Sequence, residues 1–309
     1  MRSLIRAKES KIINIASRDF TEVIVSEEFK KNNNGIIFIN QGLSEERMKK
    51  NLAFLAPDAK VLFIQNPFKL YNFTSTNNLE VAREIANINL LLTEKFDFII
   101  LDYTIINRKL PPQSFFLKSI EVKQGERFGH SKLVNLLFEL GYGRCETVFE
   151  FGEFAVRGFI IDIGMIEGFF RIEFDGEVIA SIARFNTETQ RKDLGSFTPY
   201  LILRNIKEVV LTEETLSKAK NKLPLFDIEN TAGFIEDLRG FYNFSLFNFL
   251  PLFFENCANI FEFIPTDYTC FSFSNLEDIL TEQRESIENL YELYTKEGRS
   301  LLKPSELIY

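Results

Sequence analysis

The residue best suited to contact a partner lies in the strand-like run FEFGEFAVRGFIID, residues 149–162. Arg157 stands there among apolar residues, and a guanidinium cannot be left unpaired in a core because desolvating a charge is costly. Three uses are open to it: pairing with a buried carboxylate, acting as a catalytic clamp, or forming the centre of a docking surface. From spacing alone, a strut to Glu153 or Glu173 across the sheet and a docking role both remain open.

A second arginine follows in FFRIEFD, residues 169–175. Strict alternation along a strand places Phe170, Ile172 and Phe174 on one face and Arg171, Glu173 and Asp175 on the other. Because the apolar set predicts a core, Arg171 is expected on the open face of the sheet.

The same alternation can be applied to the run that contains Arg157. If Phe154, Val156 and Ile160 face the core, the residues that share the open face with Arg157 are Ala155, Phe159 and Ile161. An arginine in an apolar, partly exposed setting is typical of the residues that dominate protein interfaces. The two arginines are therefore expected on one docking face.

Other groups that could do chemistry are few. Asp97 and Asp102 bracket a strand and are interpreted as structural, with a carboxylate-based hydrolase as the alternative. The single histidine, His130, is expected to be exposed or to cap the helix that follows it. One histidine and three widely spaced cysteines without a C-x-x-C pair support neither a metal site nor a disulfide framework. The cysteines are expected to be reduced thiols.

The motifs for cofactor binding are also absent from the sequence. It contains no G-x-x-x-x-G-K-[ST] and no G-x-G-x-x-G. We therefore expect no cofactor, no ATP use and no enzymatic activity.

Length and composition restrict the class of protein further. A chain of 309 residues suits two or three domains, and a net charge of −8 argues against broad, non-specific binding to nucleic acid. No signal peptide and no apolar run of about 18 residues occurs, so we expect a cytoplasmic protein without a membrane partner. The 34 Phe residues predict a large core and some apolar surface for a partner.

Strand and helix patterns alternate in the first third of the chain. Strands are predicted at 22–25, 35–39, 60–65 and 96–102, and helices at 44–56, with Ser44 as N-cap, and at 77–92. Such alternation predicts an α/β layer domain with a mostly parallel sheet. We assign it residues 1–116, up to a candidate hinge at Pro111 and Pro112.

The middle of the chain predicts a different fold. A helix at 131–143, capped by Ser131 and ended by Gly141, precedes a meander of strands that begins with CETVFEF at 145–151. We assign residues 117–198 to an inserted α+β domain with an antiparallel sheet and one helix. Residues 199–309 begin with strand-like LILRN and EVVLT, and continue into a Phe-rich segment and a long helix from Leu276. This carboxy-terminal segment is expected to pack back on the first domain.

Residues 131–191 resemble a known domain. The pieces LxxxGY, GEFAVRG, IDI, RIEF, IxSI and TQR occur in order. They are similar to the UvrA-binding domain shared by UvrB and the bacterial transcription-repair coupling factor family. The flanking runs NLAFLAPDAKVLFI, VAREIANINLLL and FNFLPLFFENCANIFEFIP resemble the coupling factors more than UvrB, whose first domain carries a P-loop.

The resemblance implies a function and a set of contacts. It implies a non-enzymatic adaptor that binds UvrA in transcription-coupled nucleotide excision repair, with indirect association with damaged DNA and RNA polymerase. The UvrA contacts carry over to Arg157 and Arg171, with Phe159 beside them on the predicted face. A third contact falls on Asp175, where the family usually has an aromatic residue.

The resemblance also concerns what the chain lacks. The RNA-polymerase-binding domain and the motor domains of the family are absent, so the chain is expected to be truncated before them. The alternatives are a subunit of a split translocase, whose motors lie on another chain, or a degenerate fragment.

Overall fold

The computed structural model describes residues 12–15, 21–32, 35–71, 78–226, 228, 231–241, 246–265, 268–273, 275–299 and 301–309. They form a mixed α/β structure with a parallel sheet and antiparallel sheets.

The strands are β1 (Ile12–Ile15), β2 (Gly35–Asn40), β3 (Val61–Ile64), β4 (Phe98–Asp102), β5 (Ser119–Lys123), β6 (Gly143–Cys145), β7 (Glu153–Arg157), β8 (Ile160–Met165), β9 (Gly168–Asp175), β10 (Val178–Phe185), β11 (Lys192–Phe197), β12 (Tyr200–Arg204) and β13 (Tyr268–Phe273). The α-helices are α1 (Thr21–Asn32), α2 (Glu45–Leu55), α3 (Asn78–Thr93), α4 (Gln113–Leu117), α5 (His130–Glu139), α6 (Glu213–Lys222), α7 (Thr231–Phe241), α8 (Leu250–Phe253), α9 (Leu276–Lys296) and α10 (Pro304–Leu307). Short 3-10 helices span Tyr103–Ile105, Leu223–Phe226, Leu246–Phe249 and Ile260–Phe263.

The chain divides into two compact units. The first unit comprises Met1–Thr74, Asn87–Gln113 and Leu216–Tyr309, and the second comprises Ser75–Ala86 and Ser114–Thr215. The domain boundaries predicted at 116/117 and 198/199 remain predictions. Residues 199–215 belong to the second unit and residues 216–309 to the first.

The first unit contains a five-stranded sheet in the order β1-β13-β2-β4-β3. All neighbouring strands run parallel, with Ile37 opposite both Ile99 and Cys270. Phe38, Ile100 and Phe271 are buried in one apolar cluster against this sheet, as expected for parallel strands covered on their faces. A strand from near the carboxy terminus, β13, therefore completes the sheet that the first hundred residues begin.

One predicted strand of the first unit is wrong. Residues 22–25 lie in helix α1, where Val25 and Phe29, one helical turn apart, contact the core, while Val23 and Ile24 are exposed. Four apolar residues are too short a run to separate a buried strand from one turn of helix, and the Glu and Lys residues that follow favour helix. The other three predicted strands correspond to β2, β3 and β4.

The second unit contains a six-stranded sheet in the order β11-β10-β9-β8-β7-β6 and a two-stranded sheet of β5 and β12. Strands β7 to β11 form an antiparallel meander, and β6 pairs parallel to β7. Helix α5 buries Leu133 and Leu137 in the same cluster as Phe154, Ile161 and Ile172. Residues 145–151, predicted as one strand, contribute only Cys145 to β6, and 208–212 form no strand.

A tight turn corrects the predicted faces of the hairpin of β7 and β8. Gly158 and Phe159 form a two-residue turn, so Arg157 stands opposite Ile160 and Val156 opposite Ile161. Ile161 therefore packs in the core and Ile160 shares the open face with Arg157, the reverse of the prediction. Residues 153–161 are not one strand, and the two turn residues interrupt the alternation, so the faces after the turn are exchanged.

The ends of two helices test the predicted caps. The Ser44 hydroxyl accepts a hydrogen bond from Arg47 N, as predicted for α2. The predicted cap by Ser131 is wrong, because α5 begins at His130 and Gly129 occupies the N-cap position. At the other end Gly141 has φ +95°, and Tyr142 N donates to Leu137 O at 2.9 Å, which is a Schellman end. None of the described helices combines the length and the apolar character that a membrane span requires.

Candidate protein-binding site

The two predicted arginines lie on one face of the six-stranded sheet. Arg157 ends β7, and Arg171 in β9 pairs in register with Asp162 in β8. The opposite face of the same strands carries the core, including Phe154 and Ile172. The register thus brings two guanidiniums and one carboxylate together on the side away from the core.

Asp162 holds both arginines. Its carboxylate is fully buried, and it accepts hydrogen bonds from Arg171 Nε at 2.7 Å and Arg171 Nη2 at 2.9 Å. Arg157 Nη2 donates to the same carboxylate. The hydrogen bonds that Arg171 donates to Asp162 raise the pKa of Arg171 above its ordinary value. Two guanidiniums on one carboxylate leave the group with a net positive charge.

The two arginines differ in what they expose. The Arg171 side chain is 12% exposed, and its guanidinium carbon lies 5.2 Å from the centre of the Phe185 ring. The Arg157 side chain is 41% exposed, and its Nη2 also donates to Gln190 Oε1 at 3.2 Å. Among the described residues no partner is found for Arg157 Nε and Nη1, so Arg157 offers donors to a partner while Arg171 is mainly engaged within the sheet.

The alternative of a strut from Arg157 to Glu153 or Glu173 is wrong, because Arg157 pairs with Asp162. Glu153 accepts from Phe149 N and Glu150 N, both at 2.9 Å. Glu173 accepts from Lys192 and Ser181, both at 2.6 Å, and the bond from Lys192 is the main reason why the pKa of Glu173 lies below its ordinary value.

Asp162 was not predicted as the partner of Arg157 or Arg171. A signal was available in the sequence, since an aspartate inside the apolar run IIDIG needs a cation.

Phe159 and Asp175 lie at the same end of the sheet as Arg157. The Phe159 side chain is 63% exposed in the turn, and its carbonyl accepts from Phe174 N at 2.8 Å. Asp175 is exposed at the end of β9.

The ring of His130 lies edge-on to Phe174 at 5.2 Å between centroids, and its buried Nε2 has no partner among the described residues. His130 is thus half-buried and does not cap α5, contrary to expectation.

The remaining candidate groups have structural roles. Asp97 accepts from Lys60 N at 2.7 Å, and Asp102 caps the 3-10 helix Tyr103–Ile105 through Thr104 N. The three cysteines are free, and burial raises the pKa of Cys270 to about 12. Across the described part of the chain, no group of His, Cys, Asp and Glu residues could hold a metal ion.

The strands that carry these arginines lie in a part of the chain that is similar to a known domain family. Residues 120–203 match the family model of the UvrB interaction domain. The chain is 29% identical over 279 residues to the transcription-repair-coupling factor of Rickettsia prowazekii, an alignment that covers 86% of this chain and 24% of that protein. The predicted resemblance is confirmed.

Two further relatives carry the same name. The protein of Rickettsia typhi is 26% identical over 85% of this chain and 24% of its own length. That of Haemophilus influenzae is 31% identical over 38% of this chain and 11% of its own length. The chain thus spans about a quarter of the length of the Rickettsia relatives it matches. The match to the UvrB interaction domain includes Arg157, Asp162, Arg171 and Gln190.

Proposed function

We propose that this chain is a DNA-repair adaptor that binds UvrA through the face of Arg157 and Arg171. The observation that carries the proposal is the pair of arginines on one buried aspartate within residues 120–203, the part that matches the UvrB interaction domain. The similarity to transcription-repair-coupling factors supports a role in nucleotide excision repair.

The chemistry of the face suits a carboxylate or carbonyl oxygen on the partner. Arg157 Nε and Nη1 are available to donate, and the bond of Nη2 to Asp162 limits the rotamers that the side chain explores. A guanidinium that is already oriented loses less conformational entropy on binding than a free one. The exposed Phe159 ring, two residues after Arg157 in the turn, lies 6.4 Å from the ring of His130 and would add apolar area at the edge of an interface of about 800 Å² per partner.

The proposal extends to the mode of action, which is binding alone. The sequence contains no phosphate-binding loop, and Asp97 and Asp102, the carboxylates of the alternative hydrolase, each accept a backbone hydrogen bond. We therefore expect no turnover of ATP by the purified chain in the presence of UvrA. Release of phosphate above the rate of UvrA alone would contradict this part of the proposal.

The test is the capture of purified UvrA by the immobilised chain. Wild type is compared with Arg157→Ala and with Arg157→Ala/Arg171→Ala, and each variant is checked for its folded state by circular dichroism. Arg144→Ala is the matched control, because Arg144 is an exposed arginine that pairs in register with core-facing Phe154, on the other side of the sheet. We expect capture by wild type and the control and loss with the double variant. Equal capture by all forms would refute the proposal.

A further inference from the structure

A second group of arginines lies around a cavity of about 630 Å³ in the second unit. The turn between β8 and β9, strand β10 and the segment that joins β11 to β12 form its walls. The lining residues that matter are Glu167, Phe170, Arg184, Phe197, Tyr200 and Arg204. None of Arg157, Asp162 and Arg171 lines this cavity, so it is separate from the face described above.

Arg184 is held in the cavity wall without a carboxylate. It pairs in register with Phe170, and its guanidinium carbon lies 5.0 Å from the centre of that ring. Its guanidinium makes no hydrogen bond or ion pair with any described residue. Stacking on a ring fixes a guanidinium and leaves its in-plane N–H donors available.

Gly168 has no side chain, and this leaves space for the guanidinium of Arg184. Its φ is +133°, a conformation that residues with a side chain rarely adopt, and a Cβ there would stand 2.4 Å from Arg184 Nη1. The glycine at the start of β9 thus permits the close approach of Arg184 to the backbone.

Arg204 adds a second, weakly paired cation. Its Nε is buried and has no hydrogen-bond partner among the described residues. Its Nη1 lies 3.7 Å from Glu167 Oε1, too far for a hydrogen bond, and that carboxylate is 52% exposed. Two guanidiniums therefore face the cavity against one distant, solvated carboxylate, and an anionic group would be attracted to it.

The rest of the wall is apolar and includes a free strand edge. Met165, Phe170 and Leu201 line the cavity, and the rings of Phe197 and Tyr200 are about half-exposed beside it. Strand β12 pairs only with β5 among the described strands, which leaves its other edge without a strand partner. An unpaired edge beside an apolar cavity is a setting in which an extended peptide can bind.

We propose that this cavity binds a short extended segment of another protein, which carries a carboxylate beside a large apolar side chain. Arg184 and Arg204 would donate to the carboxylate, and the apolar side chain would pack between Phe197 and Tyr200. A nucleic acid strand fits less well, because the second unit carries more acidic than basic residues and would repel a polyanion. This inference does not depend on the proposed binding of UvrA.

The absence of tryptophan from the chain provides the measurement. The probe is the peptide acetyl-Gly-Glu-Trp-Leu-Gly-amide, whose indole emission reports on the peptide alone, titrated with the full chain. We expect saturable binding, and about tenfold weaker binding both by Arg184→Gln and when Gln replaces Glu in the peptide. Gly168→Ala should weaken binding in the same direction by displacing the guanidinium. Arg157→Ala, outside the cavity, should bind the peptide as wild type does.

Several outcomes would overturn the proposal. They are equal affinity of wild type and Arg184→Gln, equal affinity for the Glu and Gln peptides, and absence of saturation up to about 1 mM peptide, a concentration that suits a short ligand. Full displacement of the peptide by inorganic phosphate at the same concentration would indicate a general anion site and would also refute the peptide assignment. Unchanged thermal unfolding of Arg184→Gln shows that the variant is folded, so that weaker binding counts in favour.

Discussion

The two arginine pairs of the second unit differ in the carboxylate beside them. Arg157 and Arg171 share Asp162, which is fully buried and accepts bonds of 2.7 and 2.9 Å from Arg171. Among the described residues Arg184 has no ion pair, and Arg204 has one with Glu167, which is half-exposed and 3.7 Å away. A buried carboxylate that accepts several hydrogen bonds holds the arginines beside it. An exposed carboxylate at a longer distance leaves the N–H donors of the arginines available to a ligand. Both arginines of the first pair donate to Asp162, whereas the donors of the second pair remain available to a ligand.

The largest effect on stability is expected from removing the buried carboxylate of the first pair, with removal of Glu167 as the comparison. Asp162→Ala leaves two guanidiniums on the sheet without their buried counter-ion, so the free energy of unfolding should fall by about 3–5 kcal/mol. Glu167→Ala should change it by less than about 0.5 kcal/mol, because the carboxylate is half-exposed and its distance to Arg204 is long. Urea unfolding followed by circular dichroism measures both. Similar decreases in the free energy of unfolding for the two variants would show that burial of the carboxylate does not determine its contribution to stability.

The next largest effect is expected on UvrA binding, which should depend on the first pair of arginines and not on the second. Arg157→Ala should weaken UvrA binding by about 2 kcal/mol, the usual cost of truncating a central interface arginine. Arg184→Ala should leave UvrA binding unchanged, because Arg184 lies in the wall of the cavity and not on the face of Arg157 and Arg171. Calorimetric titration of UvrA into each variant makes the comparison. Equal weakening by both variants would mean that the two sites act as one.

A smaller effect is expected at the glycine that accommodates Arg184. Gly168→Ala should destabilise the chain by about 1–3 kcal/mol, since it combines a positive φ with a contact to the guanidinium. Gly125→Ala is the control, because Gly125 also has a positive φ, +83°, but an added Cβ would meet nothing within 4 Å. Thermal unfolding of both variants isolates the contribution of the contact. If Gly125→Ala is the more destabilised, the contact with Arg184 adds nothing.

The smallest effect concerns pH. The pKa of Glu173 lies below its ordinary value of 4.5, chiefly through the hydrogen bond from Lys192. A lowered folded-state pKa means that Glu173 contributes stability above pH 4.5, and that this stability is lost as the pH falls through the folded-state pKa. The stability difference between wild type and Glu173→Gln should therefore be constant above pH 4.5 and shrink below it. It should stay under about 1 kcal/mol, because solvent screens a partly exposed pair. A difference that grows on acidification would contradict the assignment.

Local sequence patterns predicted much of the second unit. Alternation in FFRIEFD puts Phe170, Ile172 and Phe174 in the core and leaves Arg171 on the other face, as the structure has it. The pattern failed at Gly158 and Phe159, where two turn residues exchange the faces of everything that follows. The role of Asp162 was not predicted for a related reason, since it depends on the register that places Arg171 opposite it.

The first unit was harder to predict because its sheet depends on distant pairing. Strands β2, β3 and β4 were visible as apolar runs, but nothing local shows that β13 lies between β1 and β2. Residues 22–25 show the converse limit, where a run with the composition of a strand is one turn of an amphipathic helix. Local composition does not indicate which distant segment of the chain will pair with a given strand.

The position of β13 has a consequence for the order in which the chain folds on the ribosome. Among the described strands β1 pairs with β13 alone, and β2 has β13 on one of its sides, so both wait for residues 268–273 to be synthesised. The second unit draws most of its residues from the continuous stretch 114–215, so its sheet can close while the first unit still has unpaired strand edges. Unpaired edges are sites of aggregation, and late pairing over a long loop is slow. We infer that the interval between synthesis of β2 and of β13 is when the nascent chain most needs protection by chaperones.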